Sequence, residues 1–276
     1  MFIKQKGLFF TGILLLLGTM PTAAQQDLFD SSATQRYAHF LMESEDYQTA
    51  LIEWERLYFM QPHNDSLALK ILQTYQLAGQ YAQGAARFQR LYSQPIRAPR
   101  PHARTYLNLL RRQGHLDSAY DWVGRYAFAS PYREKQKVSL LLLRSRFQKA
   151  QSLPALQDIH DPALLSLVDR SAAIPRKSPF LSGLFSGLVP GLGKAYTGQW
   201  KDGLFSLVFV AANAVGAYRG FSQQGTGSAL GWITAGIGTA FYVGNIYGSV
   251  KAAQQYNHLQ EKAYHQDVES YLRTLD

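Results

Sequence analysis

The stretch Pro190-Gly191-Leu192-Gly193-Lys194-Ala195-Tyr196-Thr197-Gly198, with the apolar runs 203–221 and 228–250 behind it, decides how this chain is read. Each run is close to the roughly 20 residues a helix needs to cross a bilayer, and Arg219 is the sole charged residue in either. The short polar segment 222–227 between them predicts an antiparallel hairpin. Small residues recur at every fourth position, as Ala212, Gly216 and Gly220 in the first run and Gly236, Ala240, Gly244 and Gly248 in the second. Lipid gives helices no hydrophobic reason to associate, so close approach of small faces has to hold them together. These positions are therefore the expected packing stripes. Asn213 and Asn245 would be costly against lipid and are expected to hydrogen-bond between the helices.

Ahead of the hairpin, Phe180, Leu181, Leu184, Phe185, Leu188 and Leu192 fall at helical spacing, with Ser182, Gly183, Ser186 and Gly187 between them. Such a helix is too short to span and is expected to lie in the membrane interface until Pro190 ends it. Tyr196 and Trp200 suit the headgroup level. Gly193-Lys194 invites a phosphate-loop reading, which fails because the motif needs glycine where Leu188 stands and Ser or Thr where Ala195 stands.

The order Pro190-Gly-x-Gly193-x-x-Tyr196-x-Gly198-x4-Gly203, then the glycine-rich hairpin, then Asn245-x-Tyr247 and Ala252-Ala253-x-x-Tyr256-Asn257, resembles bacterial two-transmembrane-domain proteins. It is most similar to a branch in which signal peptides and helical repeats precede the membrane part. The resemblance implies a membrane location and carries no activity with it.

Nearer the N-terminus the chain repeats. Asp46-Tyr47-x-x-Ala50-x-x-x-Trp54-x-x-Leu57 is followed thirty-four residues after Tyr47 by Tyr81, with Gly84, Phe88 and Leu91, and thirty-five further on by Leu116, with Ala119, Val123 and Tyr126. A small residue followed by large apolar ones at these intervals is one face of a helix, and the Asp or Gly ahead of it ends the preceding helix. Those preceding helices carry Tyr37, Ala38 and Leu41, then Ile71, Leu72 and Tyr75, then Tyr106, Leu107 and Leu110. The pattern resembles the tetratricopeptide repeat family, with three helix–turn–helix units that bury their apolar faces only by stacking. The resemblance implies a groove lined by the first helix of each unit. By phase this groove would present His39 and Met42, then Gln73 and Gln76, then Arg104, Asn108, Arg111 and Arg112 to a protein or peptide partner. The third unit is basic, which suits an acidic segment or a C-terminal carboxylate held by Arg forks; a solvated cationic face is the other reading.

The totals are consistent with a soluble part joined to a modest membrane part. Of 276 residues, 46% are hydrophobic, and 28 Lys and Arg against 19 acids leave a formal charge of +9. That excess suits anionic lipid or an acidic partner, and no basic arm or aromatic–basic alternation points to nucleic acid. Cysteine is absent, which excludes disulfides and thiolate metal sites. Lys4 and Lys6, the apolar 8–18 and the small residues 22–24 after Pro21 read as an export signal with an uncleaved anchor as the alternative. His258, Glu261 and His265 share one helix face, but without a zinc-protease signature. No catalytic motif, cofactor or metal is expected, and the chain is not read as an enzyme.

The expectation is thus an all-α protein: a tetratricopeptide-like helical solenoid, an interfacial helix and a two-helix transmembrane hairpin. Its parts are a signal peptide (1–24), repeats (25–129), a helical cap and linker (130–177), the membrane hairpin (178–255) and an amphipathic C-terminal helix (256–276). The second run is expected to continue into that helix to about Leu275, with Tyr256, Leu259, Ala263, Val268, Tyr271 and Leu272 on its apolar side. Export would place the repeats in the periplasm at the bacterial inner membrane. That leaves Arg176, Lys177, Lys194, Lys201 and Lys251 outside, against the positive-inside tendency. The corresponding function is an envelope scaffold or adaptor, with a homo-oligomerising membrane hairpin as the alternative.

Overall fold

Four turns of one geometry organise the helices of the computed structural model, which describes residues 30–275. The expected signal segment lies outside those residues. Glu45 (φ 60°), Gly79 (69°), Gly114 (78°) and Ser145 (52°) all take the left-handed conformation. After each, the next amide (Asp46, Gln80, His115 or Arg146) donates to the carbonyl five residues back (Leu41, Tyr75, Leu110 or Leu141) at 2.9–3.0 Å. This is the bond that closes a helix through a left-handed residue, where glycine carries no steric cost. The first three turns fall where the repeat predicts them. The fourth lies in the segment expected to have lost the repeat. Its following helix still starts with an aromatic and a small residue three on, Phe147 and buried Ala150, as do Tyr47 with Ala50 and Tyr81 with Gly84.

All the described secondary structure is helical, and no strand occurs among the described residues. In chain order the α-helices are α1 (Ser31–Glu43), α2 (Tyr47–Met60), α3 (Asp65–Leu77), α4 (Tyr81–Leu91), α5 (Arg100–Arg112), α6 (Leu116–Arg125), α7 (Ser130–Leu143), α8 (Phe147–Gln151), α9 (Pro162–Ala172), α10 (Pro179–Leu188), α11 (Leu192–Tyr196), α12 (Trp200–Gln224) and α13 (Ala229–Leu275). The chain divides into two compact units, one up to His115 and one from Leu116.

In the first unit each helix from α1 to α5 packs on the next, and α3 also packs on α5. Ala38, Leu41, Ala50, Trp54, Leu57 and Ile71, which the repeat pattern names, are buried together with Leu51 and Leu67 in its core. Successive pairs are tied at matching positions. Gln80 Nε2 donates to Gln48 Oε1 at 2.7 Å, and Arg87 grips both Glu55 oxygens at 2.6 and 2.7 Å. A Cβ on Gly84 would come 2.8 Å from Tyr75 Cβ and 3.0 Å from Leu109, so only glycine lets α3, α4 and α5 converge there.

The second unit brings together segments the sequence separates. As expected, the second run continues unbroken into the C-terminal helix as α13, of 47 residues, about 70 Å long at 1.5 Å per residue. Its C-terminal part buries Tyr264, Val268, Tyr271 and Leu272 among Val138, Leu141 and Leu142 of α7 and Leu164, Leu167 and Val168 of α9. The expected tail face also included Tyr256, Leu259 and Ala263; Leu259 is exposed and Ala263 is turned outward, because Tyr264 takes the inward position. Fully burying side chains of this size contributes on the order of 1.5–3 kcal/mol each. Residues 264–272 are therefore part of the cap's core.

One helix among the described residues, 200–227, is long and apolar enough to cross a membrane. The expected second span is the first half of α13, which runs on into the tail as expected.

Candidate functional sites at the hairpin junction and on the repeat helices

The serine-and-glycine side of α10 faces inward. Ser182, Gly183 and Ser186 are buried, whereas Phe180, Leu181, Leu184 and Leu188 are exposed. Ser182 Oγ donates towards the carbonyls of Gly193 (3.0 Å) and Ser249 (2.7 Å). Ser186 Oγ lies 2.6 Å from Ser249 Oγ and accepts from the Gly193 amide at 2.9 Å. This network needs α11 to lie directly on α10. A Cβ on Gly193 would overlap the Ser182 carbonyl, and one on Gly191 (φ 89°) would overlap that of Gly203 on α12. Gly191, Gly193 and Gly203 of the motif are thus the points where the backbones of α10, α11 and α12 touch, whereas Gly198 (φ 91°) has open space around it.

The rest of the motif closes the junction from the other end. The Asn257 carboxamide accepts from the Lys177 amide at 2.7 Å and donates to its carbonyl at 2.8 Å. The Ser178 amide donates to Tyr196 Oη at 3.3 Å, and Lys177 Nζ sits 4.7 Å from the Tyr196 ring centroid. Lys194 Nζ donates to Ser206 Oγ at 3.1 Å, and its stem passes beside Gly248.

Within the hairpin, a Cβ on Gly220 would lie 2.7 Å from Gly231, one on Gly216 3.1 Å from Thr234, and one on Gly238 3.1 Å from Asn213. Phe209 and Phe241 meet at 4.1 Å between ring centroids. Gly216 and Gly220 are thus at the helix contact. On α13, however, the contact face is Gly231, Thr234, Gly238 and Phe241, and the expected stripe is corrected accordingly. Gly236, Ala240 and Gly244 are exposed, with open space beside both glycines, and Gly248 meets Lys194. Ala212 is also exposed. A four-residue repeat of small residues identifies a face but not what it faces. Neither asparagine pairs across the hairpin. Asn213 Nδ2 donates to the Phe209 carbonyl in its own helix at 2.9 Å, and the buried Asn245 carboxamide has no partner. Beside Asn213 is a crevice of about 310 Å³, lined also by Val210, Thr234, Gly238 and Tyr242.

The expected groove residues of the repeats do not all reach the surface. His39 is exposed and meets Trp54 edge-on at 5.1 Å, and Gln73 and Arg112 are exposed. Met42 is half-buried, its sulfur 3.3 Å from Thr74 Oγ1, and Gln76 and Arg104 are half-buried. Asn108 and Arg111 are 6% and 4% exposed, so they are corrected from groove residues to interior ones. The cause is the run Tyr106, Leu107, Leu109 and Leu110, which is buried on every side of α5 and takes the neighbouring polar positions inward with it.

Two polar clusters carry no motif in the sequence. Asp161 caps α9 by accepting from the Ala163 and Leu164 amides, pairs with Lys135 Nζ of α7 at 2.7 Å and accepts from Tyr271 Oη of α13 at 2.9 Å. Burial pushes its carboxyl up, but Lys135, the Leu164 amide and Tyr271 together outweigh burial and hold it below the ordinary aspartate value. On the other side of α13, Ser145 Oγ meets the Glu261 carboxylate and lies 3.3 Å from His265 Nε2. His258, Glu261 and His265 line one shallow surface. No group of three or more His, Cys, Asp or Glu placed to hold a metal occurs among the described residues. Compared with known proteins, the chain matches no family model, no curated protein and no solved structure.

Proposed function

We propose that this protein is a membrane-anchored adaptor. In this reading, tetratricopeptide-like repeats present a binding surface to a protein partner and the glycine-packed hairpin holds them at the bacterial inner membrane. The observation that carries the reading is the reversal of pattern along α13. Between Leu230 and Ser249 the large side chains Leu230, Trp232, Ile233, Val243 and Tyr247 point outward while Asn245 and Ser249 are buried. Between Tyr264 and Leu272 the apolar residues are inside. An apolar exterior of this extent favours lipid over water, whereas the second pattern belongs to a water-soluble core. A single unbroken helix therefore joins a lipid-facing segment to the unit that holds the fourth repeat-like turn.

The periplasmic placement rests on the export signal. Reporter fusions after Ser171 and Gln224 test it: a periplasmic signal at Ser171 supports it, and a cytoplasmic one there overturns it. Partner binding is tested by affinity purification from detergent extracts with His39→Ala, Gln73→Ala and Arg112→Glu, the expected groove residues that are exposed. Unchanged partners in all three would remove this face from the account. The alternative, an oligomerising hairpin, is favoured by Gly236, Ala240 and Gly244 being left outside the hairpin contact. Crosslinking of Gly236→Leu and Gly244→Leu separates the readings, since an oligomer through this face disappears and an oligomer that persists counts against it.

A further inference from the structure

Between Arg170 and Glu261 the chain has six cations (Arg176, Lys177, Lys194, Lys201, Arg219 and Lys251) and the single acid Asp202. Five of the six lie at one end of the hairpin. Asn257 and Tyr256 of α13 hold Lys177, and Gly248 lies beside Lys194. These levels are about 14 Å apart along the helix at 1.5 Å per residue. Lys251 lies between them, one turn from Gly248. The Gly220–Gly231 and Gly216–Thr234 contacts set an antiparallel register that brings the first turn of α12, with Lys201, to this same end. Arg219 is alone at the other.

No carboxylate forms an ion pair with these cations among the described residues, and Asp202 is the one acid in the first turn of α12. Elsewhere in this unit Lys135 pairs with Asp161, Arg144 with Asp117 and Arg170 with Asp267. Among the described residues, no ion pair involves Arg176, Lys177, Lys194, Lys201 or Lys251. Aromatic rings accompany three of them instead: Lys177 stands 4.7 Å from the Tyr196 centroid, Lys201 5.8 Å from Trp200 and Lys251 5.6 Å from Tyr247. A ring attracts the ammonium while leaving its N–H donors free for a second, anionic partner. Trp200 and Tyr247 are themselves 60% and 64% exposed, as aromatic side chains at the edge of a bilayer are.

We propose that this collar is a docking surface for the headgroups of anionic phospholipids, with the lipid phosphate as the group Lys194, Lys201 and Lys251 bind. The proposal rests on the membrane reading above and adds the lipid class and the end of the hairpin at which it binds. The charge excess at the collar is the argument for an anionic lipid, and the apolar side chains continuing from it along α12 and α13 are the argument for a lipid over free phosphate.

The test uses the full chain in vesicles of phosphatidylcholine with a minor fraction of phosphatidylglycerol, the brominated acyl chains being carried by one lipid or the other at equal mole fraction. Bromine quenches tryptophan on contact, and Trp200 reports the collar while Trp232 reports the opposite end. Enrichment of the anionic lipid by roughly fivefold, the worth of one basic residue at a charged surface, is expected at Trp200. It should be absent in Trp200→Phe, retained in Trp232→Phe and brought to parity by Lys194→Gln/Lys201→Gln/Lys251→Gln. Equal quenching by both lipids in the wild type overturns the collar and leaves the membrane reading standing. Quenching of neither Trp200 nor Trp232 by either lipid overturns the membrane reading itself.

Discussion

Replacing Gly193 by alanine asks whether α10 and α11 touch as described. Gly193 lies in a helix and its φ is not positive, so alanine brings no backbone strain and gains about 1 kcal/mol of helix propensity. The added Cβ, however, would overlap the Ser182 carbonyl oxygen and lie 2.6 Å from Ser186 Oγ. Relieving that overlap separates the helices and loosens four buried hydrogen bonds among Ser182, Ser186, Gly193 and Ser249. Overpacking costs about 1–3 kcal/mol, and each loosened buried bond adds about 1 kcal/mol. With the propensity gain subtracted, the net expectation is a loss of roughly 4–6 kcal/mol. Gly236→Ala is the matched control, because open space surrounds it; there the propensity gain stands alone, so stability should hold or rise by about 0.5–1 kcal/mol. Thermal unfolding of both variants in the same detergent, followed by circular dichroism, gives opposite signs if the helix contacts are right. Equal stability of Gly193→Ala and wild type would refute the reasoning.

Other expectations are open to the same kind of measurement. Asp161→Asn keeps a capping side chain but removes the charge that Lys135 and Tyr271 use, and it should cost about 1–2 kcal/mol at neutral pH. Because the folded carboxyl lies below the ordinary value of about 3.9, its contribution is present above that pH and is lost as pH falls through the folded value. Wild type and variant should therefore converge in acid unfolding below about pH 4, and a constant difference across pH would contradict the ion pair. Glu45→Gly relieves a left-handed non-glycine residue and should stabilise by up to about 1 kcal/mol in urea unfolding; a loss would mean that the first turn is not strained. Arg111→Glu buries an acid in α5 and should abolish cooperative unfolding or cost more than about 3 kcal/mol, whereas exposed Arg112→Glu should be neutral within about 0.5 kcal/mol.

The repeat spacing was legible because a small residue followed by large apolar ones recurs where helices touch, with left-handed Gly79 and Gly114 at two of the turns. The unit around Ser145 was missed because Phe147 and Ala150 are followed by Pro154 and Gln157 where the other units carry large apolar residues, which leaves only the short α8. On the hairpin, the sequence identifies which residues are small enough for close contact, but the rotation of one helix against the other decides which of them are used. That rotation placed Gly231 and Gly238 inside and Gly236 and Gly244 outside.

By itself the sequence determined helical periodicity, the turn positions and the presence of an apolar, glycine-rich segment, since these depend on residue spacing and local backbone preference. Tertiary structure alone decided three things. Pro190–Gly203 is a knot of backbone contacts sealed by Ser182, Ser186 and Ser249; Arg111 lies inside; and the last residues of α13 complete the core built from α7 and α9. The physical reason is common to all three. Burial depends on which distant surface arrives opposite a side chain, and Val138 and Leu272 lie far apart in sequence but meet in one core.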